Sequence, residues 1–188
     1  ALCDQGYEAY SLQEGYLGWL RYDMQNQQED ELCRKVEHSL QKKFRTSLMS
    51  PFIKALKDYE LVKDGDRVAV CMSGGKDSML MAKLFQELKK YSKVDFEVKY
   101  LVMDPGYNKE NRQVIEDNAR ALQIPITIFE SDIFDSVYTV EKSPCYLCAR
   151  MRRGNLYAFA RELGCNKIAL GHHYDDVIET ILMGMLYG

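Results

Sequence analysis

Four short apolar segments alternate with helical segments from residue 67 onward, and this alternation narrows the possible folds more than any other feature. Strands separated by helices of this length predict a parallel sheet covered on both faces and joined by right-handed crossovers. The predicted class is α/β, with a doubly wound, Rossmann-like sheet. The predicted strands are Arg67–Met72, Phe96–Met103, Pro125–Phe129 and Lys167–Leu170, and the predicted helices are Asp77–Tyr91, Glu110–Leu122, Cys145–Leu163 and Asp175–Leu186.

Residues 1–46 are predicted to form a largely helical extension ahead of a domain that spans 47–188. Leu32, Val36 and Leu40 recur at a spacing of four, which predicts an amphipathic surface helix over about 27–44. Ser50-Pro51 then offers a cap and a helix-initiating proline, so a second helix is predicted over 52–61.

Composition limits the partners and the location. The net charge is −3, so a nucleic acid would have to bind a local basic patch. No apolar run approaches the ~20 residues that a membrane-spanning helix needs, and no secretory signal opens the chain. These features predict a cytoplasmic protein, in which the six cysteines stay reduced, bind metal or take part in catalysis.

The segment between the first predicted strand and its helix is suited to binding phosphate. Its two glycines let backbone N–H groups approach an anion, and the helix start adds further donors and a partial positive charge. The lysine adds a full charge, and an aspartate beside phosphate suggests a divalent cation such as magnesium. The segment reads Ser73-Gly74-Gly75-Lys76-Asp77-Ser78.

This segment differs from the two best-known nucleotide loops. A Walker A loop needs glycine where Val70 stands and a hydroxyl residue where Asp77 stands. The dinucleotide fingerprint separates its glycines, whereas Gly74 and Gly75 are adjacent. A plain Gly-Gly turn is the structural alternative, and the polar residues on both sides argue against it.

A second polar segment, Gly171-His172-His173-Tyr174-Asp175-Asp176, follows the fourth predicted strand. In a sheet of order 3-2-1-4, strands one and four are neighbours, and ligands bind where the strand order reverses. The two polar segments are therefore predicted to line one crevice. Asp175 and Asp176 would hold magnesium or orient the reacting group; alternatively, they only favour the helix dipole.

A Cys-x-x-Cys element, Cys145 to Cys148, lies at the start of the fourth predicted helix of the domain. The pair alone fits half a zinc site, a redox pair or two ligands of an iron–sulfur cluster. Arg150, Arg152 and Arg153 follow the thiols, with Lys142 before them, and concentrate positive charge that suits the phosphates of a nucleic acid. A solvated basic helix start is the alternative.

Taken together, the segments 73–78, 145–153 and 171–180 resemble the tRNA 2-thiocytidine synthetases, a group within the N-type ATP pyrophosphatases, or PP-loop enzymes. The resemblance covers about 47–188 and implies an adenine nucleotide α-hydrolase-like fold. It also implies a reaction: ATP adenylates the 2-oxo group of a cytidine in tRNA, sulfur attacks C2, and AMP leaves. Lysidine synthetases share the first and last segments but lack the cysteine pair.

The resemblance implies the site as well. Cys145, Cys148, Arg152 and Asp176 are expected to be catalytic, with ATP, Mg²⁺ and a 4Fe–4S cluster as cofactors. The cluster is expected on Cys145 and Cys148, and magnesium on Asp77, Asp175 and Asp176. Expected partners are tRNA, a sulfur donor such as a cysteine desulfurase, and a second copy of the chain in a homodimer. The residues expected to bind ATP are Ser73, Gly74, Gly75, Lys76, Asp77, Ser78, Asp104, Gly171 and His172.

The chain departs from the family at one point. The third cluster cysteine of these enzymes lies well beyond the last predicted helix, and the sequence stops at Gly188. We therefore expect a fragment of a longer protein. The alternatives are another adenylating PP-loop enzyme, such as a lysidine synthetase-like tRNA modifier, and an ATP-binding module without catalytic activity.

Overall fold

The computed structural model describes residues 15–131, 133 and 144–187, and the side chains of 17–131, 133 and 147–187. A π-helical turn over Arg45–Met49 links the first two helices. The elements in chain order are α1 (Gly15–Gln41), α2 (Ser50–Asp58), β1 (Arg67–Met72), α3 (Lys76–Tyr91), β2 (Glu97–Asp104), α4 (Lys109–Ala121), β3 (Ile126–Glu130), α5 (Pro144–Glu162), β4 (Lys167–Leu170) and α6 (Tyr174–Tyr187).

The four strands form one parallel sheet in the order β3-β2-β1-β4, which confirms the predicted order and fold class. Val70 of β1 lies opposite Tyr100 of β2 on one side and Ala169 of β4 on the other. The chain thus moves outward from β1 to β3 and then returns to the far side of β1. The reversal point between β1 and β4 is the edge where ligands bind in such sheets.

Alternation along β1 sends its side chains to two separate cores. Val68, Val70 and Met72 face α3 and α4, whereas Ala69 and Cys71 face α5. Both faces of the strand are therefore buried, as a near-continuous apolar run in a parallel sheet predicts. None of the helices in the described ranges combines the length and the apolar character of a membrane span.

The strands β1 and β4 have the predicted bounds, and β2 and β3 shift by one residue. The helices α3 to α6 also start and end within one residue of their predicted bounds. The helix predicted over 52–61 starts two residues earlier and ends three earlier, at Asp58. The chain then turns through Glu60, whose φ of 48° lies outside the helical region.

The prediction for the first helix was wrong in its bounds and in one residue of its buried face, while Leu40 is buried and Val36 packs in the same cluster as predicted. The helix begins at Gly15 and ends at Gln41, instead of spanning about 27–44. Leu32, assigned to the apolar face, is 47% exposed, and the neighbouring Cys33 is buried instead. Apolar spacing failed here because part of the face that packs on the domain is polar.

That polar contact centres on Lys83 of α3, which is 1% exposed. Its Nζ lies 2.8 Å from the Glu37 carboxylate of α1 and donates to the Leu122 carbonyl over 3.0 Å and to the Gln86 side chain over 2.6 Å. Cys33 Sγ lies 3.2 Å from the same nitrogen. A buried charge is tolerated only with such partners, so this cluster joins α1 to the rest of the fold.

Candidate functional site

The loop after β1 places Gly74 where no other residue fits well. Gly74 has φ +83°, in the left-handed region that glycine adopts at no steric cost. A β-carbon there would lie 2.6 Å from Cγ1 of Ile115 on α4. Gly75 then caps the N-terminus of α3 in an extended conformation. The first-turn N–H groups of α3 point to this loop, which is the arrangement that binds phosphate.

Two serines close the loop. The Ser78 hydroxyl donates to the Gly75 carbonyl over 2.9 Å and accepts from the Ser73 backbone N–H over 3.2 Å. The Lys76 side chain is 84% exposed, and its Nζ lies 3.0 Å from the Asp77 carboxylate. Lys76 is thus free to swing toward an anion at little cost, because an exposed ion pair contributes little to stability.

The loop after β4 meets the phosphate loop, as the strand order predicts. A β-carbon on Gly171 would lie 3.1 Å from the backbone N and Cα of Ser78. The two loops therefore touch through backbone, with no room for a side chain between them. This contact brings both predicted halves of the site to one edge of the sheet.

At the start of α6, the Asp176 carboxylate caps the N-terminus of the helix. Asp176 accepts from the His173 backbone N–H over 2.9 Å, the contact by which an acidic third-position residue caps a helix. The Nδ1 atoms of His172 and His173 lie 3.9 and 3.8 Å from the same carboxylate. Asp175, with 77% of its side chain exposed, projects from the turn.

One cavity of about 770 Å³ joins these loops to α5. Six residues predicted for the site line it: Ser73, Ser78, Arg152, Gly171, His172 and Asp176. Gly74, Gly75, Lys76, Asp77, Asp104, Cys148 and Asp175 are not part of this lining. The side chain of Cys145 lies outside the described residues, as does Lys142.

Asp104 ends β2, and its carboxylate is engaged by the turn that follows. It accepts the backbone N–H groups of Gly106 and Tyr107 over 2.9 and 2.6 Å. Arg112 of α4 lies 3.5 Å from its other oxygen. These bonds shape the turn at the carboxyl edge of the sheet, beside the cavity wall formed by Met103.

Cys148 is half-buried on α5, where it packs against the small core cluster of Met103 and Ile133. The next turn of the helix carries Arg152 and Arg153 into the cavity wall. Nη2 of Arg152 lies 3.5 Å from the Tyr107 hydroxyl. Arg153 is exposed and approaches the Ala149 carbonyl over 3.4 Å. The helix therefore sets a thiol beside two cations at the edge of the site.

Sequence reasoning missed several residues that line the cavity. Cys71 and Met72 end β1, so their place at the carboxyl edge was a usable signal. Burial raises the pKa of the Cys71 thiol to about 12, so this thiol stays protonated at neutral pH. Tyr157 and Thr180 lie four residues after Arg153 and Asp176, respectively, so each shares a helix face with one of them, and Val177 and Ile181 also line the wall.

The described side chains do not form a metal site by themselves. Among them, no group of three or more His, Cys, Asp or Glu side chains is arranged to hold a metal ion. Mg²⁺ commonly takes one or two carboxylates together with substrate phosphates, so Asp176 in the cavity wall fits it in company with a nucleotide. The described part of the Cys-x-x-Cys element offers one thiol, Cys148, which is fewer than an iron–sulfur cluster needs.

The profile of the PP-loop domain matches residues 25–188. The chain belongs to the PP-loop domain family. The match begins inside α1 and includes the phosphate loop, the cysteine pair and the start of α6. The PP-loop assignment agrees with the resemblance carried by the segment Ser73–Ser78.

Curated relatives of this PP-loop domain are named tRNA-cytidine(32) 2-sulfurtransferase. The one from Cellvibrio japonicus is 41% identical over 169 residues, covering 87% of this chain and 53% of the relative. The one from Anaeromyxobacter sp. strain K is 39% identical over 153 residues, covering 80% and 51%. The chain thus spans about half the length of the curated relatives it matches.

A solved structure shows the same fold. The U34-tRNA thiolase NcsA from Methanococcus maripaludis, solved with its 4Fe–4S cluster, superposes with a TM-score of 0.59 at 25% identity. The likeness covers 74% of this chain and 51% of the thiolase. The parallel sheet with its helices is therefore the PP-loop architecture.

Proposed function

We propose that this chain is the ATP-binding part of an enzyme that thiolates tRNA, forming 2-thiocytidine. The observation that carries the proposal is the single cavity bordered by both the phosphate loop and the basic turn of α5. At about 770 Å³ it lies within the range of small-ligand sites. It gives ATP and an extruded base a common space, and the relatives named tRNA-cytidine(32) 2-sulfurtransferase support the chemistry.

ATP is assigned to the loops at the β1–β4 reversal point. The backbone around Gly74 and Gly75, with the start of α3, would hold phosphates, and Lys76 would add a charge-assisted contact. Gly171 leaves room for close backbone approach, and His172 lies in the same wall. Asp77, Asp175 and Asp176 are proposed for Mg²⁺, with Asp176 the main ligand because it alone of the three lines the cavity.

The tRNA base would be extruded into the cavity beside Arg152 and Arg153. Enzymes that act on a base take it out of the stack, and cations hold the flanking phosphates. Arg152, oriented toward the Tyr107 hydroxyl, is placed to stabilise negative charge at the adenylated oxygen. Adenylation turns the 2-oxo oxygen into a leaving group, and AMP departs with it.

Sulfur is assigned to the Cys145–Cys148 element. A 4Fe–4S cluster bound there would supply the sulfur atom that replaces oxygen, and a cysteine desulfurase is a suitable donor. The chain supplies two of the three expected ligands, and the third would come from outside the described residues. We propose that the reaction takes place in the cytoplasm and that the protein acts as a homodimer.

The test uses the full-length protein, reconstituted without oxygen, with ATP, Mg²⁺, a sulfide source and tRNA. The tRNA carries cytidine at position 32, the position in the names of the relatives, and the matched control carries uridine there. We expect pyrophosphate, AMP and 2-thiocytidine from the first tRNA only. Lysine incorporation would indicate a lysidine synthetase-like modifier, and ATP binding without pyrophosphate release would indicate a non-catalytic module.

A further inference from the structure

The segment that joins α1 to α2 carries an exposed cluster of positive charge. Residues 42–57 contain five basic residues and no acidic ones, in a chain whose net charge is −3. All five are exposed. We call this set the amino-terminal basic surface; its members are Lys42, Lys43, Arg45, Lys54 and Lys57.

These charges are not used to hold the fold together. Within the described ranges, none of the five has a carboxylate within the 4.0 Å of an ion pair. The lysines of α3 behave differently, since Lys83 and Lys90 both pair with Glu37. A like-charged cluster without counter-charges raises the energy of the folded state slightly, which is a cost that a polyanionic ligand removes.

The basic surface sits on a well-packed support. The Phe52 ring meets the Phe85 ring edge-on at 5.2 Å, and Leu56 packs on the same core. Because those two residues face inward, Lys54 and Lys57 lie on the opposite face of α2. Met49 in the π-helical turn is also buried. The charges are thus presented at defined positions and not on a loose tail.

The surface begins close to the phosphate loop. Phe44 and Leu48 share a groove with Leu80 of α3. Leu80 lies four residues after Lys76, which is about 6 Å along a helix. The Lys43 ammonium lies 5.2 Å from the centre of the half-exposed Phe44 ring. A cation beside an available aromatic face suits both the phosphates and the bases of RNA.

We propose that the amino-terminal basic surface binds the sugar-phosphate backbone of the substrate RNA outside the cavity. This inference rests on the proposed function. It puts positive charge on both faces of the sheet edge, since α3 covers one face and α5, with Arg152 and Arg153, covers the other. A membrane is less suitable, because Phe52 and Leu56 pack on the core, and the large apolar side chains that this segment exposes are two isolated ones, Phe44 at 38% and Ile53 at 41%.

The test measures tRNA affinity of the full-length protein as a function of salt. The variant is Lys42→Gln, Lys43→Gln, Arg45→Gln. Its matched control removes three exposed charges at the opposite edge of the sheet, Lys93→Gln, Lys99→Gln, Arg161→Gln. Each lost phosphate contact lowers the slope of log K against log salt by roughly 0.7–0.9. We expect the slope to fall by about two and affinity to drop at least tenfold in the first variant only, with ATP affinity unchanged.

Three results would overturn the inference. One is an equal slope of log K against log salt for both triple variants, with tRNA binding still weakened by Arg152→Gln. It would reject RNA binding by the amino-terminal basic surface but leave the proposed function supported. A wild-type protein that binds no tRNA would reject both the RNA-binding surface and the proposed function. Binding of anionic phospholipid vesicles that the first variant abolishes, while its tRNA affinity stays at the wild-type value, would assign the surface to a membrane.

Discussion

A β-carbon placed on Gly171 would lie 3.1 Å from the backbone nitrogen of Ser78. This approach holds the β4 loop against the first turn of α3, where the phosphates are proposed to bind. The prediction is that Gly171→Ala separates the two loops, weakens ATP binding at least tenfold and destabilises the fold by about 1–3 kcal/mol. Calorimetry with ATP and thermal unfolding measure the two effects.

Gly154→Ala is the matched control for that substitution. A β-carbon on Gly154, in the middle of α5, meets nothing within 4 Å. Replacing glycine by alanine inside a helix should stabilise the protein by about 0.5–1 kcal/mol. Equal ATP affinity in both alanine variants would show that the loop contact is not needed for nucleotide binding.

Lys76→Ala tests the charge contact to ATP. Its side chain is 84% exposed, so its loss should leave the unfolding temperature unchanged. A charge-assisted hydrogen bond to phosphate is worth about 1.5–3 kcal/mol, so ATP affinity should fall roughly 10- to 150-fold. Lys93→Ala, another exposed lysine, should have no effect. Unchanged ATP affinity in Lys76→Ala would exclude the proposed role.

The carboxylates at α6 are expected to differ in their contribution to magnesium. Asp176→Asn keeps an oxygen for the His173 backbone N–H but removes the charge that faces the cavity. It should therefore reduce Mg²⁺-dependent pyrophosphate release at least a hundredfold with little loss of stability. Asp175→Asn, which lies outside the cavity wall, should reduce it by less than tenfold. Release that survives EDTA would remove magnesium from the mechanism.

The cysteine pair is tested by iron content. Cys145→Ala, Cys148→Ala in the full-length protein, reconstituted without oxygen, should lose iron and 2-thiocytidine formation while keeping ATP affinity. Thiolates suit iron and other soft metals. Because Cys145 and Cys148 are the two cluster ligands proposed for this chain, their loss should prevent cluster binding. Cys165→Ala, two residues before β4, is the control and should retain iron. Stoichiometric zinc in the wild-type protein would contradict the cluster.

Acid stability should depend on Asp66, which ties β1 to β4 and the preceding turn. Hydrogen bonds from Lys167, then Asn166, then the Lys63 backbone lower its pKa from 3.8 to about 2. Because the folded state holds this proton less tightly than the unfolded chain, the stabilisation is present above pH 3.8 and is lost as the pH falls through about 2. In that pH window, Asp66→Asn should make the free energy of unfolding depend less on pH, whereas Asp58→Asn should leave this dependence unchanged. Denaturant unfolding at a series of pH values measures it.

The sheet was predictable from sequence because each strand corresponds to a short, continuous apolar run. Arg67–Met72 is almost entirely buried and Lys167–Leu170 is half-buried, and both are recognisable in the sequence as apolar runs of definite length. The reversal at β1–β4 follows from topology, and it predicted that the loops after these two strands face each other; the structure shows this contact between Gly171 and Ser78. The polar loops at that edge could therefore be paired from sequence.

Contacts between distant residues could not be predicted in this way. Glu37 and Lys83 are 46 residues apart, and each alone looks like an ordinary surface charge on a helix. Asp104 reads as a ligand after a strand, yet its oxygens bind the following turn. Cys71 reads as a core residue and is one, but its position at the end of β1 also brings it to the cavity wall.

The ion pair of Lys83 and Glu37 means that the protein should not tolerate truncation within or just after the first helix. A version shortened to start at residue 47 keeps the ammonium and loses its carboxylate. Removing one partner of a buried pair costs about 3–5 kcal/mol, a large part of the 5–15 kcal/mol that typically holds a domain folded. Any fusion, recombination or expression boundary that separates residues 33–41 from the sheet should therefore yield aggregated or rapidly degraded protein.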